Sequence, residues 1–151
     1  MSLITTLPDK LCEWFTDMNE FEGHSFCTQF PANSKVTPLE KPVIVFGTEK
    51  FTVLNNTTDE AGSIATNNRL VELDFSVGIH VPRALGGMGC NSLLDRIADL
   101  ILFNTSLKIT GVTTEKTVYI RNTDSLYLKA KFTTNDILLK GTNYPAALPL
   151  N

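Results

Sequence analysis

The clearest feature of the chain is the alternation of apolar and polar positions between Val71 and Val81. Apolar side chains occupy every second position, and the intervening positions begin with Glu72 and Asp74. Because successive side chains of a strand point to opposite faces, the pattern predicts a long β-strand that is apolar on one face. Such strands are typical of antiparallel sheets with one covered face. We expect Pro82 to end the strand.

Two other segments carry apolar residues at helical spacing. The first runs from Leu7 to Met18, with Thr6 as its expected N-cap. The second has Asn91 or Ser92 as its expected N-cap and extends to Phe103. The apolar side of each helix must be covered, and a sheet is the expected partner for both.

Shorter runs of β-branched and aromatic residues predict further strands. They are residues 24–30, residues 43–54 as two strands or one strand with a bulge at Gly47, and residues 107–112, 117–121 and 126–133. We expect the last three to form a meander, with hairpin turns at 113–115 and 122–124.

The order of these elements predicts an α+β fold, with a single mainly antiparallel sheet and two helices packed on one face. Residues 1–134 are expected to form one domain. Residues 135–151 contain Pro145 and Pro149 and show no period, so they are expected to form an extended C-terminal arm or tail.

Size and charge exclude several classes of function. With 151 residues the chain can bury a core without disulfides, and its net charge of -3 is spread out, which disfavours specific nucleic-acid binding. No apolar run approaches the roughly 20 residues that a membrane-spanning helix needs. The first ten residues do not resemble a secretory signal, so we expect the protein to stay where it is made.

Candidate chemistry is sparse. The segment from Gly87 to Ser92 has two glycines of a dinucleotide fingerprint but lacks the third. His24, Cys27 and Cys12 could supply three zinc ligands, but the cysteines lack the paired CxxC spacing of zinc sites. His80 lies on the polar face of the long strand, and no GxSxG motif is present. We therefore expect no catalytic residue, metal or cofactor, and no enzyme activity.

Charged residues mark the polar faces of two strands. Glu72 and Asp74 share one face, and Lys129 and Lys131 share another. If the strands are neighbours, opposite charges would pair across them. The alternative is that both faces lie at a subunit boundary or line a ring.

The element order and several short motifs resemble the tail terminator, or tail completion, proteins of tailed phages and prophages. The resemblance covers residues 26–134, and the motifs are Phe30-Pro31, the proline and glycine pattern from Pro38 to Gly47, Val81-Pro82, Leu85-Gly86-Gly87 and the helix from Cys90 to Phe103.

This resemblance implies a structural virion protein without catalytic residues. Subunits of this family close into a ring, usually a hexamer, which caps the tail tube and docks to the head connector. The implied partners are copies of the chain, the tail tube protein and the head-tail connector protein. The implied location is the virion, after assembly in the host cytoplasm.

Two predicted loops, 55–68 and 83–91, and the charged strand faces are the expected interfaces. The candidate interface residues are Asn55, Asn56, Asp59, Asn67, Glu72, Asp74, Arg83, Gly86, Gly87, Lys129 and Lys131. Two alternatives remain open at this point. The chain could be another head-tail adaptor or stopper, or a small ligand-binding domain that uses the predicted Gly86–Asn91 loop.

Overall fold

Two helices and a six-stranded sheet make up the part of the chain that the structure, a computed structural model, describes: residues 3–30, 38–54 and 68–140. The elements are α1 (Leu3–Thr16), β1 (Ser25–Cys27), β2 (Val43–Leu54), β3 (Asn68–Pro82), α2 (Gly86–Asn104), β4 (Lys108–Thr114), β5 (Val118–Ile120) and β6 (Ser125–Lys140). The predicted α+β class is confirmed.

The sheet has the strand order β1-β2-β3-β6-β4, and β5 also pairs with β6. β1 runs parallel to β2, whereas every other pair is antiparallel. β3 is the long strand that the alternation predicts, and it extends from Asn68 to Pro82 at the centre of the sheet. The sheet is therefore mainly antiparallel, as expected.

Both helices cover the same face of the sheet, which we call the inner face. α1 packs on β1 and β2, and α2 packs on β3 and β6. Their apolar side chains join one core with the alternating residues of β3, and Phe15, Ile97, Val77 and Ile79 are fully buried in it. Burying an aliphatic or aromatic side chain contributes about 1.5–3 kcal/mol, so this single layer provides most of the stability. The opposite face, the outer face, carries no helix among the described residues.

The helix boundaries differ from the prediction. α1 begins at Leu3 and contains Pro8, so Thr6 lies inside the helix and is not its cap. α2 begins at Gly86, five residues before Asn91, and Gly86 itself has a positive φ of 70° where the preceding 3₁₀ turn passes into the helix. A Cβ at Gly89 would lie 3.2 Å from the Leu85 Cβ, so the absence of a side chain lets the first turns pack closely.

The segment 43–54 forms one strand with a bulge. The bulge lies at Glu49, where the register with β3 shifts between Thr48 and Lys50, and not at Gly47. The extra residue reverses which positions face the helices: Phe46 lies on the inner face before the bulge, and Phe51 lies on it after the bulge.

The predicted meander is wrong. β4 and β5 both pair with β6 along the same edge, and the backbone N–H of Glu115 between them donates to the Lys129 carbonyl at 2.9 Å. The segment 113–115 therefore continues along β6 and does not turn back. The turn at 122–124 is present, with Asp124 in the left-handed region at φ 45°.

β6 continues beyond Thr134, the residue at which the domain was expected to end. It runs to Lys140, and its Ile137 is buried opposite Val71 of β3. Residues 135–140 are thus part of the sheet, and residues 141–151 of the predicted arm lie outside the described residues.

Gly78 of β3 gives a test of packing on the outer face. A Cβ at this position would lie 3.1 Å from the Tyr127 ring, whereas a Cβ at Gly111 of β4 would meet nothing within 4 Å. We expect Gly78→Ala to lower the free energy of unfolding by about 1–3 kcal/mol through overpacking. Gly111→Ala, the matched control, should leave it unchanged or raise it by about 0.4–1 kcal/mol. Urea unfolding at fixed protein concentration measures both, and equal effects would contradict the packing argument.

Candidate functional site

The charged residues singled out in the sequence lie on the outer face of two neighbouring strands. β3 and β6 pair directly, and they carry Glu72, Asp74, Lys129 and Lys131. The expected direct pairs do not form, because Lys131 is opposite Ser76 and Asp74 is opposite Thr133. The Thr133 hydroxyl donates a hydrogen bond of 2.7 Å to the Asp74 carboxylate. The register therefore separates the two charged sets along the strands.

Lys129 instead pairs with Glu49, a residue that the sequence reasoning missed. The Lys129 Nζ lies 2.7 Å from the Glu49 carboxylate. The two residues are on β6 and β2, so this ion pair spans the intervening strand β3. The hydrogen bond from Lys129 is the largest of the effects that hold the pKa of Glu49 below its ordinary value. Glu49 lies at the bulge, and the position of the bulge could not be read from the sequence.

A polar cavity of about 250 Å³ surrounds this ion pair. It is lined by Glu49, Thr113, Thr114, Glu115, Lys129 and Lys131. Within the described part of the chain, Lys131 forms no salt bridge. Solvated ion pairs contribute only about 0–1 kcal/mol to the free energy of unfolding. The charged residues around this cavity therefore set the charge pattern of the outer face more than they stabilise the fold.

His80 lies between two aromatic rings on the outer face. Its ring centroid is 4.3 Å from that of Phe30 and 4.5 Å from that of Tyr127. Burial lowers the pKa of His80 to about 4, so the imidazole is neutral at pH 7. Gly78 leaves the space that the Tyr127 ring occupies. The His80 imidazole thus packs as a third aromatic ring on the outer face.

Arg83, Gly86 and Gly87 do not lie in a loop. Arg83 belongs to a 3₁₀ turn, and the two glycines begin α2. The Arg83 guanidinium lies 3.3 Å from the Asp124 carboxylate and 5.9 Å from the centre of the Tyr119 ring. These contacts tie the start of α2 to the turn before β6. The predicted Gly86–Asn91 loop, and with it the basis for a ligand-binding loop, is corrected to a helix.

The other predicted loop falls outside the described residues. Asn55, Asn56, Asp59 and Asn67 all lie between residues 55 and 67. Their role at an interface stays a prediction.

A second cavity, of about 320 Å³, lies between α2 and the turn after α1. Arg96 closes one side of it through two hydrogen bonds to Glu20, at 2.8 and 2.9 Å. His24 also lines the cavity, and its buried Nδ1 has no hydrogen-bond partner among the described residues.

No three potential metal ligands converge in the described ranges. Burial is the largest of the effects that raise the pKa of Cys12 to about 11, so its thiol is protonated at pH 7.

Exposed apolar side chains cluster where β2 ends and β3 begins. Phe51 and Val53 lie on the inner face with exposed fractions of 51% and 39%, and Leu54 and Leu138 lie on the outer face with 40% and 44%. We call this region, Lys50–Leu54 with residues 68–73 and 134–140, the apolar end of the sheet. The last turn of α2 reaches the same end and exposes Phe103 by 77%. Exposed apolar side chains grouped at one end of a sheet favour an interaction site there.

Comparison with protein-family models and with curated proteins finds no match for this chain. No helix in the described ranges has the length and hydropathy needed to cross a membrane.

His80 makes the stability of the protein dependent on pH. Its pKa is about 4 in the folded chain and about 6.5 in the unfolded chain, so between these values the unfolded chain binds the extra proton. Stability is therefore expected to fall as the pH decreases from about 6.5 to 4. The contribution of His80 should be about 1–2 kcal/mol between pH 7 and 5.

His80→Phe keeps an aromatic ring in the stack and removes the titrating group. Urea unfolding should show a smaller loss of stability between pH 7 and 5 for this variant than for the parent. An imidazole that titrates near pH 6.5 in the folded protein, followed by NMR, would overturn this prediction.

The Glu49–Lys129 pair gives a second prediction. A double-mutant cycle with Glu49→Gln and Lys129→Gln should give a coupling of about 0.2–1 kcal/mol at pH 7. Because the folded pKa of Glu49 is lowered, this coupling is fully present above the unfolded pKa of 4.5 and is lost as the pH falls through the folded pKa. A cycle with Lys131→Gln is the matched control and should give a smaller coupling. Equal couplings for the two lysines would contradict a specific pair.

Proposed function

We propose that the chain is a structural subunit that assembles with its own copies into a closed ring. The resemblance to tail terminator proteins gives this assembly a biological role, in which the ring caps a tail tube and docks to a head connector. In this proposal the tube protein and the connector protein are its partners, and the virion is its location. No catalytic step is part of the role.

The observation that carries the proposal is the apolar end of the sheet. Phe51 and Val53 are exposed on one face and Leu54 and Leu138 on the other, so neither face is covered within the described chain. Exposed apolar surface at the end of a sheet favours association with another protein surface. Its position at one end of the subunit suits a head-to-tail contact, which makes a ring when the rotation closes.

The charged outer face supports the second part of the proposal. The ion pair between Glu49 and Lys129 is partly exposed, and Lys131 and Glu115 lie beside it in the same open cavity. Charges of this kind at the rim of an interface select partners and orientation more than they add affinity. The face can therefore discriminate between a tube protein and a connector protein without contributing much to ring stability.

Light scattering coupled to gel filtration over a range of protein concentrations tests the assembly. We expect a mass near six subunits, or a monomer that shifts to it when concentrated. The double variant Phe51→Ser, Leu54→Ser should need at least about tenfold more protein to assemble, because truncating a central apolar contact typically costs about 1–2 kcal/mol or more.

Val118→Ser is the matched control, because Val118 is 44% exposed but lies in β5, which pairs with the start of β6, away from the apolar end. It should assemble like the parent chain. A strict monomer at every concentration, with or without added tube protein, would contradict the proposed function. Copurification then separates a terminator, which retains tube protein, from a head-tail adaptor or stopper.

A further inference from the structure

The edge of β2 at the apolar end has no strand beside it in the described part of the chain. β1 pairs only with Val43–Val45, so no described strand covers Lys50–Leu54 on the side away from β3. All five side chains of this stretch are exposed, and their sequence, Lys-Phe-Thr-Val-Leu, is rich in residues that favour strands. An uncovered apolar edge is a template for pairing with another chain, and native proteins cover or block such edges.

The segment 141–151 has the composition of a strand that could cover this edge. It contains no charged residue, and Tyr144, Ala146, Leu148 and Leu150 alternate with Pro145, Ala147 and Pro149. In an extended conformation the four even-numbered side chains share one apolar face. That face would continue the exposed apolar surface of Phe51 and Val53.

The two prolines restrict such a strand to one pairing edge. Backbone N–H groups of successive residues in a strand point alternately to its two edges, so Pro145 and Pro149 remove donors from the same edge. The even-numbered residues keep every N–H group on the other edge. Proline is tolerated in a strand whose proline-bearing edge, the one without these N–H groups, faces solvent. A strand added at the outside of a sheet meets this condition.

The path of the chain favours docking on another copy. β6 ends at Lys140 beside Asn68, on the side of β3 away from β2. To reach its own β2 edge, the segment would span about three strand spacings, or about 14 Å, and pass the connection from Leu54 to Asn68 at the same end. Connections at the same end of a sheet rarely cross each other. A neighbouring copy in a ring avoids this crossing.

We infer that the segment 144–150 of one copy adds as an edge strand to Lys50–Leu54 of the next copy. This rests on the proposed ring and names the contact that closes it. Main-chain hydrogen bonds along β2 supply the affinity, and the even-numbered side chains pack beside Phe51 and Val53. The blocked edge of the added strand prevents further strands from joining, so growth stops at one strand for each subunit.

Two adjacent alanines give a matched pair of variants. Ala146→Pro removes an N–H group from the pairing edge, whereas Ala147→Pro removes one from the edge that Pro145 and Pro149 already block. Light scattering should show that Ala146→Pro needs at least tenfold more protein to assemble, while Ala147→Pro assembles like the parent. Circular dichroism confirms that both variants are folded. If the two variants behave alike, the edge-strand arrangement is overturned.

A chain ending at Lys140 retains every described element and provides a second measurement. It should remain monomeric where the full chain assembles, and hydrogen exchange should show that the amides of Lys50–Leu54 lose protection. If this chain assembles like the parent, the inference fails and the proposed ring stands. If the full chain is monomeric at every concentration, the proposed function fails. Protection of Lys50–Leu54 by the segment within that monomer would also overturn docking between copies.

Discussion

The fold depends on burying one face of β3. Its alternation runs without interruption through the middle of the sheet, with Val71 to Val81 facing the helices. The pairings of the other strands depart from this regular spacing, since a register shift occurs between β2 and β3, between β3 and β6, and between β4 and β6. The extra residues bring apolar side chains back to the inner face where a regular strand would turn them away. β3 thus sets the register that the other strands follow.

Sequence periodicity predicted the elements that depend on local pattern and missed those that depend on partners. β3 and both helices were identified because each has an apolar side that repeats along its own length. The start of α2 was misplaced because glycine disfavours helices, whereas close packing at Gly89 and burial of Cys90 favour one here. The turn expected at 113–115 fails because Glu115 bonds to Lys129, a contact that local sequence does not reveal.

The outer face shows the same division. Alternation identifies the charged residues of β3 and β6, but the partner of Lys129 lies two strands away, at the bulge in β2. Alternation predicts His80 to be an exposed polar residue of this face, yet Phe30 from a distant segment packs on it, and burial keeps its imidazole neutral. The apolar end was missed because Phe51 and Val53 read as ordinary strand residues. Their exposure depends on where the helices stop, which periodicity does not report.

The bulge at Glu49 also makes one position of β2 dispensable for the pattern of the strand. Before it, even-numbered residues of β2 face the helices, and after it, odd-numbered residues do. Deleting Glu49 would place Lys50 directly after Thr48, so Phe51 and Val53 would stay on the inner face of a regular strand. A related sequence that lacks this residue would therefore keep the hydrophobic pattern in the last third of β2 and lose the carboxylate that pairs with Lys129. Deletions at this position should occur without substitutions in the strand that follows.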